Sequence, residues 1–176
     1  MRNHLIAIID QAVPYQSTKE QEASVYVAFD KQKSFIKKAS INENVKILYL
    51  NNWSEILDPM HIKFNEDLDM DIPTLNNKNI QSYLTAERIK QVHIIGGNVT
   101  ACVTNKELPF NYFNFIKDKT HIVLDICYDY SIEMQDKMIN LCMWCNVHNI
   151  NYTSSDRALA KIEDKTYHNK LGHYPY

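Results

Sequence analysis

Four short runs in this chain are apolar at nearly every position instead of at every second one: His4 to Ile9 (HLIAII), Val45 to Leu50 (VKILYL), the run containing Val92, Ile94 and Ile95, and His121 to Cys127 (HIVLDIC). A strand with one wet face alternates polar and apolar residues, so continuous apolar runs of this length mark strands covered on both faces. Between them lie stretches of helical length. Ser17 and Thr18, each followed three residues later by Glu20 or Gln21, form a capping-box signal for a helix running to about Lys38. Asn79 to Lys90 carries Ile80, Leu84 and Ile89 at helical spacing. After a plausible N-cap at Ser131, the positions Met134, Met138, Leu141, Cys142 and Cys145 define one helix face turned to the core. Ile150 to Thr153 reads as a last short strand, and Ser154 or Ser155 as the cap of a final helix. Strands alternating with helices give an α/β fold, a doubly wound, mostly parallel sheet flanked by helices in three layers.

The segment from Trp53 to Ile72 fits this scheme least well. Pro59 and Pro73 argue against a long helix, and Met60 to Phe64 (MHIKF) reads as a brief strand. The tail from Thr166 to Tyr176 is polar and rich in tyrosine. The expectation is one domain over residues 1–176, with 166–176 packed at a surface or a subunit interface.

Bulk composition excludes several classes of function. A formal charge of -2 with 23% charged residues, and basic residues that are spread out, gives no footprint for nucleic acid. No apolar stretch approaches the ~18 residues of a membrane span, and the opening run is too short for a signal peptide, so the expected location is cytoplasmic. In that compartment the four cysteines are not expected to form a disulfide framework.

Glycine is scarce, with 3 residues where average usage of ~7% would give about 12, and two of the three are adjacent at Gly96-Gly97. They follow a buried strand and precede Cys102, which reads as the first turn of a helix. A thiol there meets unpaired backbone N–H groups and the positive end of the helix dipole, both of which favour thiolate. The alternative is that Cys102 packs as a small buried hydrophobe. In doubly wound sheets ligands bind beyond the carboxyl ends of the strands. Asp10 ends the first run, Lys63 lies on MHIKF, and Cys102 follows the Val92–Ile95 strand, so a carboxylate, an ammonium and a thiol are candidates for one site.

These residues resemble the isochorismatase-like cysteine hydrolases, a family that includes the nicotinamidases. The resemblance is carried by IAIIDQ, by HIKF, by the turn Gly96-Gly97-Asn98-Val99-Thr100-Ala101-Cys102-Val103, and by THIVLDICYDYSIEMQDKMINL and INYTSSDRAL downstream. It spans roughly residues 3 to 160. It implies an isochorismatase-like, Rossmann-like sandwich with an Asp-Lys-Cys triad of Asp10, Lys63 and Cys102. By the same resemblance a cis peptide joins Gly97 and Asn98, and the N–H groups of Asn98 and Cys102 form an oxyanion hole. Gln11, Phe64, Tyr112 and Phe113 are the expected substrate-pocket residues. The implied activity is hydrolysis of an amide or related bond in a small molecule through a covalent thiol intermediate, without a cofactor, by a homo-oligomer.

Two features depart from the family pattern. The segment between Asp10 and Lys63 is short for a full substrate lid, which implies a pocket open to solvent or completed by another subunit. Where nicotinamidases carry metal-binding histidines after the second strand, this chain reads Asn51-Asn52-Trp53. Asp58 and His61 alone are too sparse a ligand set, so no metal is expected and nicotinamide is a disfavoured substrate. The alternatives are a non-catalytic member of the same fold that binds a metabolite or a protein, and a thiol redox protein using Cys142 and Cys145. The C-x-x-C pair, with His148 beyond it, lies well inside a helix and not at a helix start, which favours packing. Cys127 reads as packing as well. Asp125 and Asp129 read as turn and cap residues with supporting work near the site as the alternative, and His4, His93 and His121 as satisfied structural residues.

Overall fold

In the computed structural model, residues 3–9, 18–51, 59–100, 113, 118–129 and 137–163 are described. Among the described residues six strands form one sheet: β1 (Asn3–Ile9), β2 (Val45–Asn51), β3 (Thr74–Asn76), β4 (Ile89–Gly96), β5 (Thr120–Val123) and β6 (Tyr152–Thr153). Their spatial order is β3-β2-β1-β4-β5-β6 and every pairing is parallel. The chain moves outward from β1 through β2 to β3, then crosses back to β4 on the other side of β1. The β1/β4 boundary is therefore the topological switch point, where a doubly wound sheet opens a crevice at its carboxyl edge.

Among the described residues the α-helices are α1 (Lys19–Ala39), α2 (Pro59–Leu68), α3 (Ile80–Ala86), α4 (Lys137–Val147) and α5 (Ser155–Ile162). Strand β1 shows how they are layered. Leu5, Ala7 and Ile9 point into one core with Ile80 and Leu84 of α3 and Leu141 and Cys145 of α4. Ile6 and Ile8 point into the other, with Phe29 and Ile36 of α1, Phe64 of α2 and Ala158 of α5. Both faces of β1 are thus dry, as its unbroken apolar text requires.

Local signals set the helix boundaries. Thr18 caps α1: its hydroxyl accepts from the Gln21 N–H at 3.2 Å, and the Gln21 side chain accepts from the Thr18 N–H at 2.8 Å. Ser154 caps α5, its hydroxyl accepting from the Arg157 N–H.

Three expectations need correction. MHIKF is helical, part of α2; Pro59 opens that helix at its first position, where a missing N–H costs nothing. The helix expected over Asn79–Lys90 stops at Ala86, and Ile89 already belongs to β4; between them Arg88 takes a φ of 54°, the left-handed break that turns the chain into the strand. Strand β5 ends at Val123, and Leu124–Ile126 tighten into a 3-10 turn. Ser131, Met134 and the tail 166–176 lie outside the described residues. Among the described residues no helix is long and apolar enough to cross a membrane.

Candidate active site

The carboxyl end of β4 is held from both sides. Ile9 is in register with Gly96 on β4 and with Leu50 on β2, so the first, second and fourth strands end level with one another. The Gly97 N–H donates to the Ile9 carbonyl at 3.1 Å, the Tyr128 N–H to the Gly96 carbonyl at 3.2 Å, and the Val99 N–H to the Tyr128 carbonyl at 3.2 Å. The buried Asp129 carboxylate accepts from the Thr100 N–H. Four hydrogen bonds to β1 and to the segment after β5 thus fix the turn that leads to Cys102.

The glycine pair is sterically obligatory there. Gly96 has a φ of 111°, and a Cβ on it would lie 1.9 Å from the Ile9 carbonyl oxygen. A Cβ on Gly97 would fall 2.5 Å from the Tyr128 ring. The expected cis peptide is present between Gly97 and Asn98. Asn98 carries a buried side-chain oxygen, Oδ1, without a hydrogen-bond partner, an acceptor available beside the turn.

Of the predicted site residues, Lys63, Phe64, Gly97, Asn98 and Phe113 are among the described residues. Asp10 follows Ile9 directly in the chain, and Cys102 lies two residues beyond Thr100; both, with Gln11, Tyr112 and Asp58, are outside the described residues, as is the side chain of His61. Lys63 lies on α2 with its side chain 70% exposed, 3.5 Å from Asp67. Asp67 also accepts from Lys33 at 3.0 Å, and Lys33 reaches Asp30 at 2.9 Å. Lys33, with a smaller contribution from Lys63, holds the Asp67 carboxyl below its ordinary range. Phe64 is buried in the core, edge-on to Phe29, and Phe29 is edge-on to Tyr128, the ring that covers Gly97. Phe113 is fully buried in the opposite core with Val99.

Strand β3, which no apolar run announced, brings a further lysine to the carboxyl edge. Leu50 pairs with Leu75 and Asn51 with Asn76, so β3 ends level with the strands that carry Ile9 and Gly96. Lys78 comes two residues later, in a turn fixed by its N–H donating to the Asn76 side chain at 2.9 Å. The signal in the sequence was the polar text Asn76-Asn77-Lys78-Asn79 closing a three-residue strand, too short for periodicity to register.

The remaining candidates have packing roles. Cys145 is fully buried, and burial, with Cys142 nearby, pushes its thiol up to about 12, which suits core and not redox duty. Cys127 is buried, with its sulfur 4.0 Å from the Ile94 carbonyl. Met138, expected on the core face of α4, is 43% exposed. Asp125 accepts from the N–H and hydroxyl of Ser155 at 2.7 and 2.6 Å, tying the end of β5 to the start of α5. His4 and His93 bond to each other at 3.1 Å, but Nδ1 of His93 and Nδ1 of His121 are buried without partners, so these rings are less well satisfied than expected. Among the described residues no group of three His, Cys, Asp or Glu side chains is arranged to hold a metal ion.

Compared with known proteins, the sequence matches no family model and no curated protein. Solved structures to which it is similar include the following three. The MAR1 ribonuclease of Caenorhabditis elegans aligns with a TM-score of 0.57 at 12% identity, over 96% of this chain and 85% of that one. An isochorismatase-like hydrolase from Alkaliphilus metalliredigens aligns with a TM-score of 0.55 at 12% identity, over 91% and 98%. The nicotinamidase SaPncA of Staphylococcus aureus aligns with a TM-score of 0.50 at 12% identity, over 87% and 100%. The chain therefore has the three-layer α/β fold that these structures share.

Proposed function

We propose that this protein is a cysteine hydrolase acting on a small molecule with an amide or related bond. The reading is supported chiefly by the Gly96-Gly97-Asn98 turn, pinned at the switch point of a hydrolase fold between the residue before Asp10 and the segment that leads to Cys102. In this reading the Asp10 carboxylate takes the thiol proton of Cys102, and the thiolate attacks the carbonyl carbon. The oxygen takes up the negative charge facing the N–H groups of Asn98 and Cys102. As the tetrahedral adduct collapses, the leaving amine receives the proton from Asp10. Water then attacks the thioester, with Asp10 again as base, and releases the acid and the thiol.

The ammonium that steadies the Asp10 carboxylate and the thiolate is Lys63 in the sequence reading. Its exposure and its pairing with Asp67 leave Lys78 as the alternative, supported by the register of β3. A formal charge of -2 favours a small molecule over RNA. The proposal extends to a cytoplasmic protein that works without metal or cofactor.

A limiting dose of iodoacetamide followed by mass spectrometry tests the nucleophile. First labelling at Cys102 supports the hydrolase, first labelling at Cys142 or Cys145 supports the redox alternative, and no preferential labelling supports a binding module. Lys63→Ala and Lys78→Ala, each followed by the alkylation rate of Cys102 against pH, identify the ammonium. The variant that moves the midpoint upward has lost it, and two unchanged profiles refute the lysine role altogether.

A further inference from the structure

Two ring nitrogens on neighbouring strands share an unmet need. Nδ1 of His93 on β4 and Nδ1 of His121 on β5 are buried, and among the described residues neither has a hydrogen-bond partner. The two residues are in register. Ile95 and Val123, two positions further along each strand, belong to the core that Ala158 and Ile162 of α5 cover, so alternation puts both rings on that face. Neighbouring strands lie ~4.8 Å apart, so a ligand bonded to one Nδ1 is within reach of the other. A buried polar atom without a partner is costly and rare, and a bound water or ion is its ordinary explanation. Two of them in register point to one shared ligand.

Charge decides between water and ion. Lys161 on α5 acts on both rings, with Arg157 one turn before it on the same helix. Among the described residues no carboxylate acts on either ring, and Lys161 forms no salt bridge. A bridging water would leave this positive charge uncompensated, whereas an anion neutralises it. The ring protons fit an anion too. His4 Nδ1 lies 3.1 Å from His93 Nε2. With His4 as the donor, the neutral His93 ring carries its own proton on Nδ1 and presents an N–H to the ligand. His121, whose ring the Lys119 backbone also faces, supplies the second contact. His93 has no exposed surface, so a ligand at its Nδ1 is enclosed as well. There a polyatomic oxyanion would bring further oxygens that need donors, and a monatomic ion would not.

We propose that His93, His121 and Lys161 form a site for one small monovalent anion of the chloride class, held between the sheet and α5. The ion joins β4 and β5 through their imidazoles to α5 through its ammonium. Asp125 already ties the first residue of α5 to the end of β5, and the anion secures the last turn of the same helix. The site uses none of the residues of the Gly96–Asn98 turn and does not depend on the hydrolase reading.

Unfolding of the full chain at pH 7, with chloride replacing gluconate at constant ionic strength, tests this. The thermal midpoint should rise with chloride and level off as the site fills. Bromide should act like chloride, and sulfate should not. Lys161→Met should weaken binding about ten-fold or more, the scale of one hydrogen bond to a charged group, with an unchanged circular dichroism spectrum. His121→Leu should weaken it as well, whereas Lys31→Met on α1 should leave it unchanged. Chloride magnetic resonance gives an independent reading, because exchange with a protein site broadens the signal; the broadening should fall in Lys161→Met and not in Lys31→Met. A midpoint indifferent to chloride, the result expected of an ordered water only, overturns the proposal. So does a response to sulfate equal to that to chloride, or a chloride response that Lys161→Met leaves intact.

Discussion

Acidification from pH 7 to pH 5 should destabilise this fold through a row of three histidines, two buried and one half-buried. His4 on β1, His93 on β4 and His121 on β5 share one face of the sheet; His93 is in register with His121, and His4 stacks on His93 with ring centroids 5.4 Å apart. Burial lowers His93 well below the ordinary histidine value, with His4, His121 and Lys161 acting in the same sense. Burial, then Lys161, lowers His121 from 6.5 to about 4. Both rings thus stay neutral in the folded chain at a pH where the unfolded chain binds protons. The contribution of His121 is complete above pH 6.5 and is lost as pH falls from there towards 4, and that of His93 is lost in the same direction. For His121 the shift corresponds to about 2 kcal/mol between pH 7 and pH 5; its partial exposure reduces this to about 1 kcal/mol, and His93 adds in the same direction. Asp67, held below its ordinary 3.8, loses its contribution only at more acid pH, outside this window. Urea unfolding followed by circular dichroism at pH 7, 6 and 5 measures the loss. The double variant His93→Gln/His121→Gln should flatten the dependence. Stability that does not change between pH 7 and 5, or a decline equally steep in the double variant, refutes the reasoning.

Gly96→Ala should cost about 4 kcal/mol or more in urea unfolding, because the new Cβ meets the Ile9 carbonyl oxygen at 1.9 Å at a φ of 111°. Asp125→Ala removes both acceptors of Ser155 and should cost about 1–2 kcal/mol. Elemental analysis of the purified protein should find no stoichiometric zinc or iron; about one metal per chain would revive the nicotinamidase-like metal reading.

How far the sequence foretold the structure depended on how much of each element's determinants lay within it. Strands β1, β2 and β4 announce themselves because a strand buried on both faces must be apolar throughout, and α1 because Thr18 and Gln21 write their own cap. The glycine pair was legible for a similar reason, since the Ile9 carbonyl and the Tyr128 ring leave no room for a side chain. Helix α2 was misread because Pro59 breaks a helix interior but suits a helix start, and nothing local says which position it holds. Strand β3 was missed because three edge residues bury too little to leave a pattern. The position of Lys63 follows from α2: as the segment is helical, Phe64 takes the buried side and Lys63 the exposed one. For the histidine row, cross-strand register decides which side chains meet, and register is invisible in one strand's text.

The hydrogen bonds that pin the Gly96–Thr100 turn also set when the site can exist during assembly. One comes from Ile9 near the start of the chain, and the others involve Tyr128 and Asp129, well downstream. Until both segments dock, none of these four bonds holds the turn, and long-range contacts of this kind form late because their loops must close first. A nascent chain that has not yet exposed Tyr128 and Asp129, or a fragment ending before Tyr128, lacks three of the four hydrogen bonds that hold the turn.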